Sequence, residues 1–158
     1  MYIKGYASVF QHVDQAQDML MPGAFKKSLQ KKNDNTFKLL WQHDATKPIG
    51  KIISAQEDTH GLLITASIVK ETDTGKEAIT LITSGIVQGL SVGIIPNPEK
   101  TFFNPQGFNE IYETELHEIS VVTFPANTMA KIEDISSQNE INSLTNLINT
   151  AQELTSLL

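Results

Sequence analysis

Up to Phe124 the chain runs in short stretches where apolar and polar residues alternate, and beyond it the apolar residues adopt a three-and-four spacing. The first pattern is that of half-buried strands and the second that of an amphipathic helix. Ile3 to Phe10, with Gly5 inside it, predicts a first strand, and the polar stretch Gln11 to Gln17 a loop. Pro22 suits a first helical position, and Phe25, Leu29 and the lysines between them predict a short helix ending near Asn33. Phe37 to Gln42 reads as a strand that delivers His43 at its end. Ile49 to Ala55 and Leu62 to Val69 are β-rich runs joined by Gln56 to Gly61, a hairpin composition in which Gly61 supplies a positive φ. Thr74 and Glu77 have capping-box spacing and open a helix that presents Ala78, Ile79 and Ile82 on one face and stops at Gly85. Ile86 to Ile95 predicts a strand, Pro96 to Gly107 a proline-rich loop or arm, and Ile111 to Phe124 one long final strand ended by Pro125.

No aromatic residue follows Phe124, yet Ile141, Leu144, Leu147, Ile148, Ala151, Leu154 and Leu158 keep helical spacing. That stripe either packs on the body of the domain or docks onto a second copy or a scaffold partner. At 158 residues the chain has the size of one domain with one core. Its net charge of -6 argues against sequence-independent binding of nucleic acid, which needs clustered Lys and Arg. Lys26, Lys27, Lys31 and Lys32 read as the wet face of a helix. The absence of cysteine excludes disulfides, thiolate metal sites and a cysteine nucleophile, leaving Ser, Thr or carboxylates for covalent chemistry. The start of the chain has no basic segment followed by an apolar run, and no stretch is long enough to span a bilayer, so a soluble, unexported protein is expected.

Two apolar strands each carry a reactive side chain. His43 follows Leu40-Trp41-Gln42, and Ser91 sits within Gly89-Leu90-Ser91-Val92-Gly93. A histidine in such a place is ordinarily a structural, hydrogen-bonded residue, and the serine ordinarily a small residue in a tight contact. Ser91 shares its face with Gly93, however, which leaves room for a backbone or a ligand to approach. The segment is not a nucleophile elbow, since its first glycine lies two residues before the serine and a strand follows. Asp44, next to His43, reads as a turn residue whose side chain points away from the histidine's face. In Glu115-Leu116-His117-Glu118-Ile119-Ser120, strand alternation lets only one of His117 and Glu118 share the side of the His43 and Ser91 pair. A metal site built from His43, His117 and a carboxylate lacks recognisable ligand spacing, and His12 and His60 sit in solvent-facing loop or turn contexts.

Taken in order, Gly5 to Phe10, Met21 to Phe25, Leu40 to Asp44, Pro48 to Lys51, Gly89 to Gly93 and Leu116 to Asn127 resemble the prohead proteases of tailed bacteriophages. This serine peptidase family is related in fold to the herpesvirus maturational proteases. The resemblance covers about residues 1 to 132 and implies an α+β, mainly β, fold: an antiparallel β-barrel core surrounded by helices, followed by an amphipathic helical tail over 133 to 158. It implies Ser91 as nucleophile, His43 as general base and Glu118 as third catalytic member, because the family places an acidic residue before the apolar-Ser run. The herpesvirus relatives use a second histidine in that strand, which makes His117 the fallback. The oxyanion-binding amides would come from the turn Phe124 to Thr128, with Ala126 or Asn127 as donors, since Pro125 has no N–H.

The resemblance further implies an endopeptidase without cofactor or metal. It would act in the host cytoplasm inside the assembling procapsid, on the major capsid protein or a scaffolding segment and on itself, with a homodimer or higher oligomer as a possible active form. The tail would be a tether to the scaffold or a piece left at an autocleavage site. A competing expectation is a non-catalytic barrel that shares the fold and docks on capsid or scaffold; it would be favoured if His43 and Ser91 lay beyond hydrogen-bonding reach. An esterase acting on small molecules is disfavoured by the missing elbow.

Overall fold

This computed structural model describes residues 1–31 and 37–155, and the described residues form ten strands and three α-helices. They are β1 (Tyr2–Val9), β2 (Asp18–Leu20), α1 (Lys26–Lys31), β3 (Lys38–Trp41), β4 (Asp44–Glu57), β5 (Gly61–Ile68), α2 (Asp73–Thr83), β6 (Gly89–Pro96), β7 (Thr101–Asn104), β8 (Phe108–Ile111), β9 (Thr114–Val122), β10 (Lys131–Ser136) and α3 (Gln138–Thr155). Seven strands close a barrel in the order β1, β10, β6, β9, β3, β4, β5, and β2, β8 and β7 form a separate small sheet. The fold is mainly β with a C-terminal helix, as expected. Within the barrel one junction departs from the antiparallel expectation, because β3 runs parallel to β9, with Leu39, Leu40 and Trp41 opposite Ile119, Ser120 and Val121.

The alternating residues fill the barrel. Leu39, Ile49, Ile52, Leu62, Ile64, Leu90, Leu116, Ile119 and Val121 are buried in one continuous core together with Phe25, Phe37 and Ile82. The helix α2 lays Ala78 and Ile82 against it. Its N-cap is Thr72, whose side chain accepts from the Gly75 N–H, in place of the expected Thr74. Gly85 ends the helix with φ +73, as its position past the last periodic residue implied.

Several boundaries differ from the sequence pattern for physical reasons. The run Ile111 to Phe124 is two strands, since Tyr112 and Glu113 break between β8 and β9. The expected loop from Pro96 contains a 3-10 turn, Pro98–Lys100, and then β7, a four-residue strand too short and too exposed to show a period of two. Gly61 does not take a positive φ; a Cβ there would lie 2.1 Å from the Ser8 carbonyl oxygen, so β1 passing alongside is what requires glycine. Strand β10 crosses residue 132, where a domain boundary was expected, and carries the barrel to Ser136. Its Ile132 and Ile135 are three apart because an extra residue sits in the pairing with β1 between Lys4 and Gly5, which spoils the period of two. Helix α3 follows, with Leu147 and Ile148 exposed. The expected helix end near Asn33, Lys32 of the basic cluster and Leu158 of the stripe lie outside the described residues, as do the side chains of Leu144, Ala151 and Leu154. Among the described residues no helix is long and apolar enough to cross a membrane.

Candidate active site

Three neighbouring strands hold the site, and β9 lies between the other two. On β6, Leu90, Val92 and Ile94 pack toward the core while Ser91, Gly93 and Ile95 take the outer face. Opposite them on β9, Ser120 pairs with Ser91 and Glu118 with Gly93. Upstream the register shifts, Ile94 pairing with Leu116, so that His117 is an extra residue in a bulge. The bulge lets Leu116 turn into the core while His117 and Glu118 both stay on the outer side, an arrangement that uninterrupted alternation forbids. His117 is exposed, and the contact with His43 is made by Glu118.

His43 lies past the end of β3, in a two-residue connection that turns directly into β4, where Trp41 pairs with Asp44. Gln42 and His43 have φ of 55 and 60 degrees, the left-handed values demanded by such a tight hairpin and unusual for residues other than Gly, Asn or Asp. Contacts to β9 hold this strained pair. The Gln42 N–H donates to the Val121 carbonyl at 2.9 Å, its side-chain amide donates to Thr123 Oγ1 at 2.8 Å, and its Oε1 accepts from the Thr123 N–H at 3.0 Å. The His43 N–H donates to Ser120 Oγ at 3.2 Å. Asp44 opens β4 and accepts from the Thr46 hydroxyl and N–H, chiefly the hydroxyl, which hold its carboxyl below the ordinary range.

The hairpin presents the imidazole to both neighbours. His43 Nε2 is 3.0 Å from Ser91 Oγ and His43 Nδ1 is 2.5 Å from Glu118 Oε1. A carboxylate only accepts, so Nδ1 carries the proton and Nε2 is left to accept from the serine hydroxyl. The second carboxylate oxygen, Oε2, accepts from Ser120 Oγ at 2.7 Å. Both ends of this hydrogen-bonded path are buried and its middle is open: Ser91 is 5% and Ser120 0% exposed, whereas the His43 side chain is 44% and that of Glu118 19% exposed. A polar relay therefore lies on the barrel's outer wall, open on the histidine side and closed beneath.

The room beside Gly93 is taken by protein rather than left for a ligand. A Cβ on Gly93 would lie 2.6 Å from Glu118 Oε1 and 3.0 Å from its Cγ. The turn after β9 abuts the start of β6, since a Cβ on Gly89 would meet Pro125 Cδ at 2.9 Å. The residues that follow are pinned: the Ala126 carbonyl accepts from Gln15 at 3.0 Å, and the Asn127 side chain donates to the Val9 carbonyl at 2.8 Å. Sequence reasoning brought His43, Ser91 and Glu118 forward; it passed over Ser120 and Gln42, whose only signal was polarity inside apolar runs.

Comparisons with known proteins bear on the family and the fold. Residues 1–145 match the family described as Caudovirus prohead serine protease. The chain is 32% identical over 148 residues to the prohead protease of Enterobacteria phage HK97, covering 92% of this chain and 65% of that protein. It is also 32% identical over 104 residues to the capsid polyprotein of Pseudomonas phage PAJU2, covering 62% of this chain and 15% of that protein. The chain thus spans less than two thirds of the length of either relative. Among solved structures, the capsid assembly protease of bacteriophage T4 superposes with a TM-score of 0.63 at 14% identity, covering 78% of this chain and 82% of that one. The KSHV protease in complex with a hexapeptide phosphonate inhibitor gives 0.61 at 14% identity, over 94% of this chain and 76% of that one. At such identities the likeness is one of fold. By the match over most of its length, the chain belongs to the Caudovirus prohead serine protease family.

Proposed function

We propose that this chain is a serine endopeptidase of prohead maturation, with Ser91 as nucleophile, His43 as general base and Glu118 as the group that orients the base. The observation that carries the reading is the continuous hydrogen-bond path from Ser91 Oγ through both imidazole nitrogens to Glu118 Oε1. Family membership and the resemblance to the HK97 prohead protease support it. As the hydroxyl attacks a peptide carbonyl, its proton passes to His43 Nε2, and the same imidazolium then protonates the departing amine. Glu118 keeps the proton on Nδ1 beforehand and faces the positive charge afterwards. The negative oxygen of the tetrahedral intermediate would be met by the Ala126 or Asn127 amide, in a turn whose Pro125 abuts Gly89, two residues before Ser91 on β6.

The substrates we propose are scaffold or capsid-precursor segments and the protease itself, cut inside the assembling procapsid. Helix α3, which follows the barrel with Leu147 and Ile148 exposed, is proposed as a tail that tethers the enzyme to scaffold or is trimmed by autocleavage. The competing non-catalytic barrel would be favoured by His43 and Ser91 lying out of reach, and their separation of 3.0 Å supports the catalytic reading instead. Co-production with the capsid precursor of the same phage tests the proposal. Ser91→Ala and His43→Ala should each leave the precursor uncut while remaining folded. Processing by Ser91→Ala equal to that by the parent chain would overturn the assignment.

A further inference from the structure

The hydroxyl of Ser120 lies between two groups that general-base chemistry must hold together. Its residue pairs with Ser91 on one side of β9 and with Leu40 on the other, so one register level connects the nucleophile's strand to the strand that leads into the histidine hairpin. Its Oγ donates to Glu118 Oε2 at 2.7 Å and accepts from the His43 N–H at 3.2 Å. With 0% exposure, it has no water to replace either bond. The donation leaves Oε1 as the oxygen that meets Nδ1, and the acceptance fixes the backbone of a residue held at φ 60 degrees. A serine needed only to fill a gap would leave these two bonds to chance.

We infer that Ser120 is a positioning residue for catalysis, a single hydroxyl that locks the general base's backbone and the orienting carboxylate into one geometry. The inference rests on the catalytic reading above. Removing the hydroxyl frees the carboxylate to rotate and releases the tie between hairpin and β9, so the histidine loses alignment with Ser91. A misplacement on the 1 Å scale slows a chemical step by about 100-fold while binding is little changed. Ser120→Thr keeps a hydroxyl able to make both bonds, and Ser120→Cys fills the space with a weak donor and acceptor.

A fluorophosphonate probe reads this step without knowledge of the natural cleavage site. Ser91 Oγ forms a bond to phosphorus, the P–F bond breaks, fluoride leaves, and the hydroxyl proton passes to His43. The amplitude of labelling reports the folded fraction, the limiting rate reports the chemistry, and the half-saturating concentration reports binding. Ser120→Ala and Ser120→Cys are expected to lower the limiting rate by about 10- to 100-fold, with half-saturation within roughly two-fold of the parent. Ser120→Thr is expected to recover most of the rate. If Ser120→Ala fails to fold, Ser120→Cys makes the same test. A parental limiting rate in Ser120→Cys or Ser120→Ala, with Ser91→Ala unlabelled, overturns the positioning role and leaves the catalytic reading intact. Labelling of Ser91→Ala at the parental rate overturns the catalytic reading itself, and the inference with it.

Discussion

Replacing Gly93 by alanine sets a methyl group against the Glu118 carboxylate. The added Cβ would lie 2.6 Å from Oε1, 3.0 Å from Cγ and 3.1 Å from Cδ. Against an ordinary non-bonded separation of about 3.5 Å, the carboxylate must retreat by roughly 0.9 Å. Oε1 is the atom that holds His43 Nδ1 at 2.5 Å, and Oε2 is tied to Ser120, so this retreat breaks or bends the contact that aligns the imidazole. A shift of that size in a catalytic group costs on the order of 100-fold in rate. The backbone has no quarrel with the change, because Gly93 is not among the residues with positive φ. Loss of unfolded-chain freedom stabilises by about 0.4 to 1 kcal/mol and partly offsets the crowding. Initial rates of precursor cleavage, measured beside a thermal unfolding scan, should therefore show a fall of about 100-fold in kcat/KM with the melting midpoint nearly unchanged. In a Glu118→Ala background Gly93→Ala should have no further effect on rate, since both changes act through one carboxylate. A parental rate for Gly93→Ala, or a loss that simply adds to that of Glu118→Ala, would refute the reasoning.

The proposed third catalytic position separates cleanly in the same assay: Glu118→Gln should cost about 1,000-fold or more, the scale of losing the group that fixes a histidine's tautomer. His117→Ala should stay within roughly two-fold of the parent, and the reverse order would hand the role to the histidine. For the helix cap, Thr72→Ala should lower unfolding free energy by about 1 kcal/mol and Thr74→Ala by less than about half of that; equal effects by chemical denaturation would contradict the capping geometry. Tyr6 donates to Asp58 Oδ2 at 2.6 Å, and this hydrogen bond is the first cause that raises the phenol to about 12 and lowers the Asp58 carboxyl. The phenol's contribution is complete below its unfolded value near 10 and fades as pH climbs through about 12. That of Asp58 is complete above its ordinary 3.8 and fades as pH falls through its lowered value. The destabilisation by Tyr6→Phe should thus be constant between about pH 5 and 9 and shrink on both sides, and a gap that persists through strong alkali would rule this out.

Strands whose two faces differ were readable because burial imposes a period of two, as in β5 and the first half of β1, whereas β3 and the core of β9 were readable as short, largely apolar runs buried on both faces. The histidine and serine stood out against the same background, as polar residues interrupting apolar runs. What escaped was set by partners distant in sequence. Strand β10 is polar and bulged, and only pairing with β1 and β6 makes it a barrel strand. The choice between His117 and Glu118 turned on a bulge that no local propensity announces, since it arises from the register of β9 against β6. Gln42 and His43 lack the Asn-Gly signature of a tight hairpin, because contacts to β9 hold the strained φ values that glycine would otherwise relieve. Gly93 was recognised as space on the serine's face, but the occupant of that space, the Glu118 carboxylate, comes from the neighbouring strand.

The central claim is that Ser91 is a nucleophile activated by His43. Peptide mapping by mass spectrometry after incubation with a fluorophosphonate tests it most directly. One adduct is expected, on Ser91, present in the parent chain and absent from His43→Ala. An unmodified Ser91 under conditions where the parent chain cuts the capsid precursor, or undiminished labelling of Ser91 in His43→Ala, would contradict it.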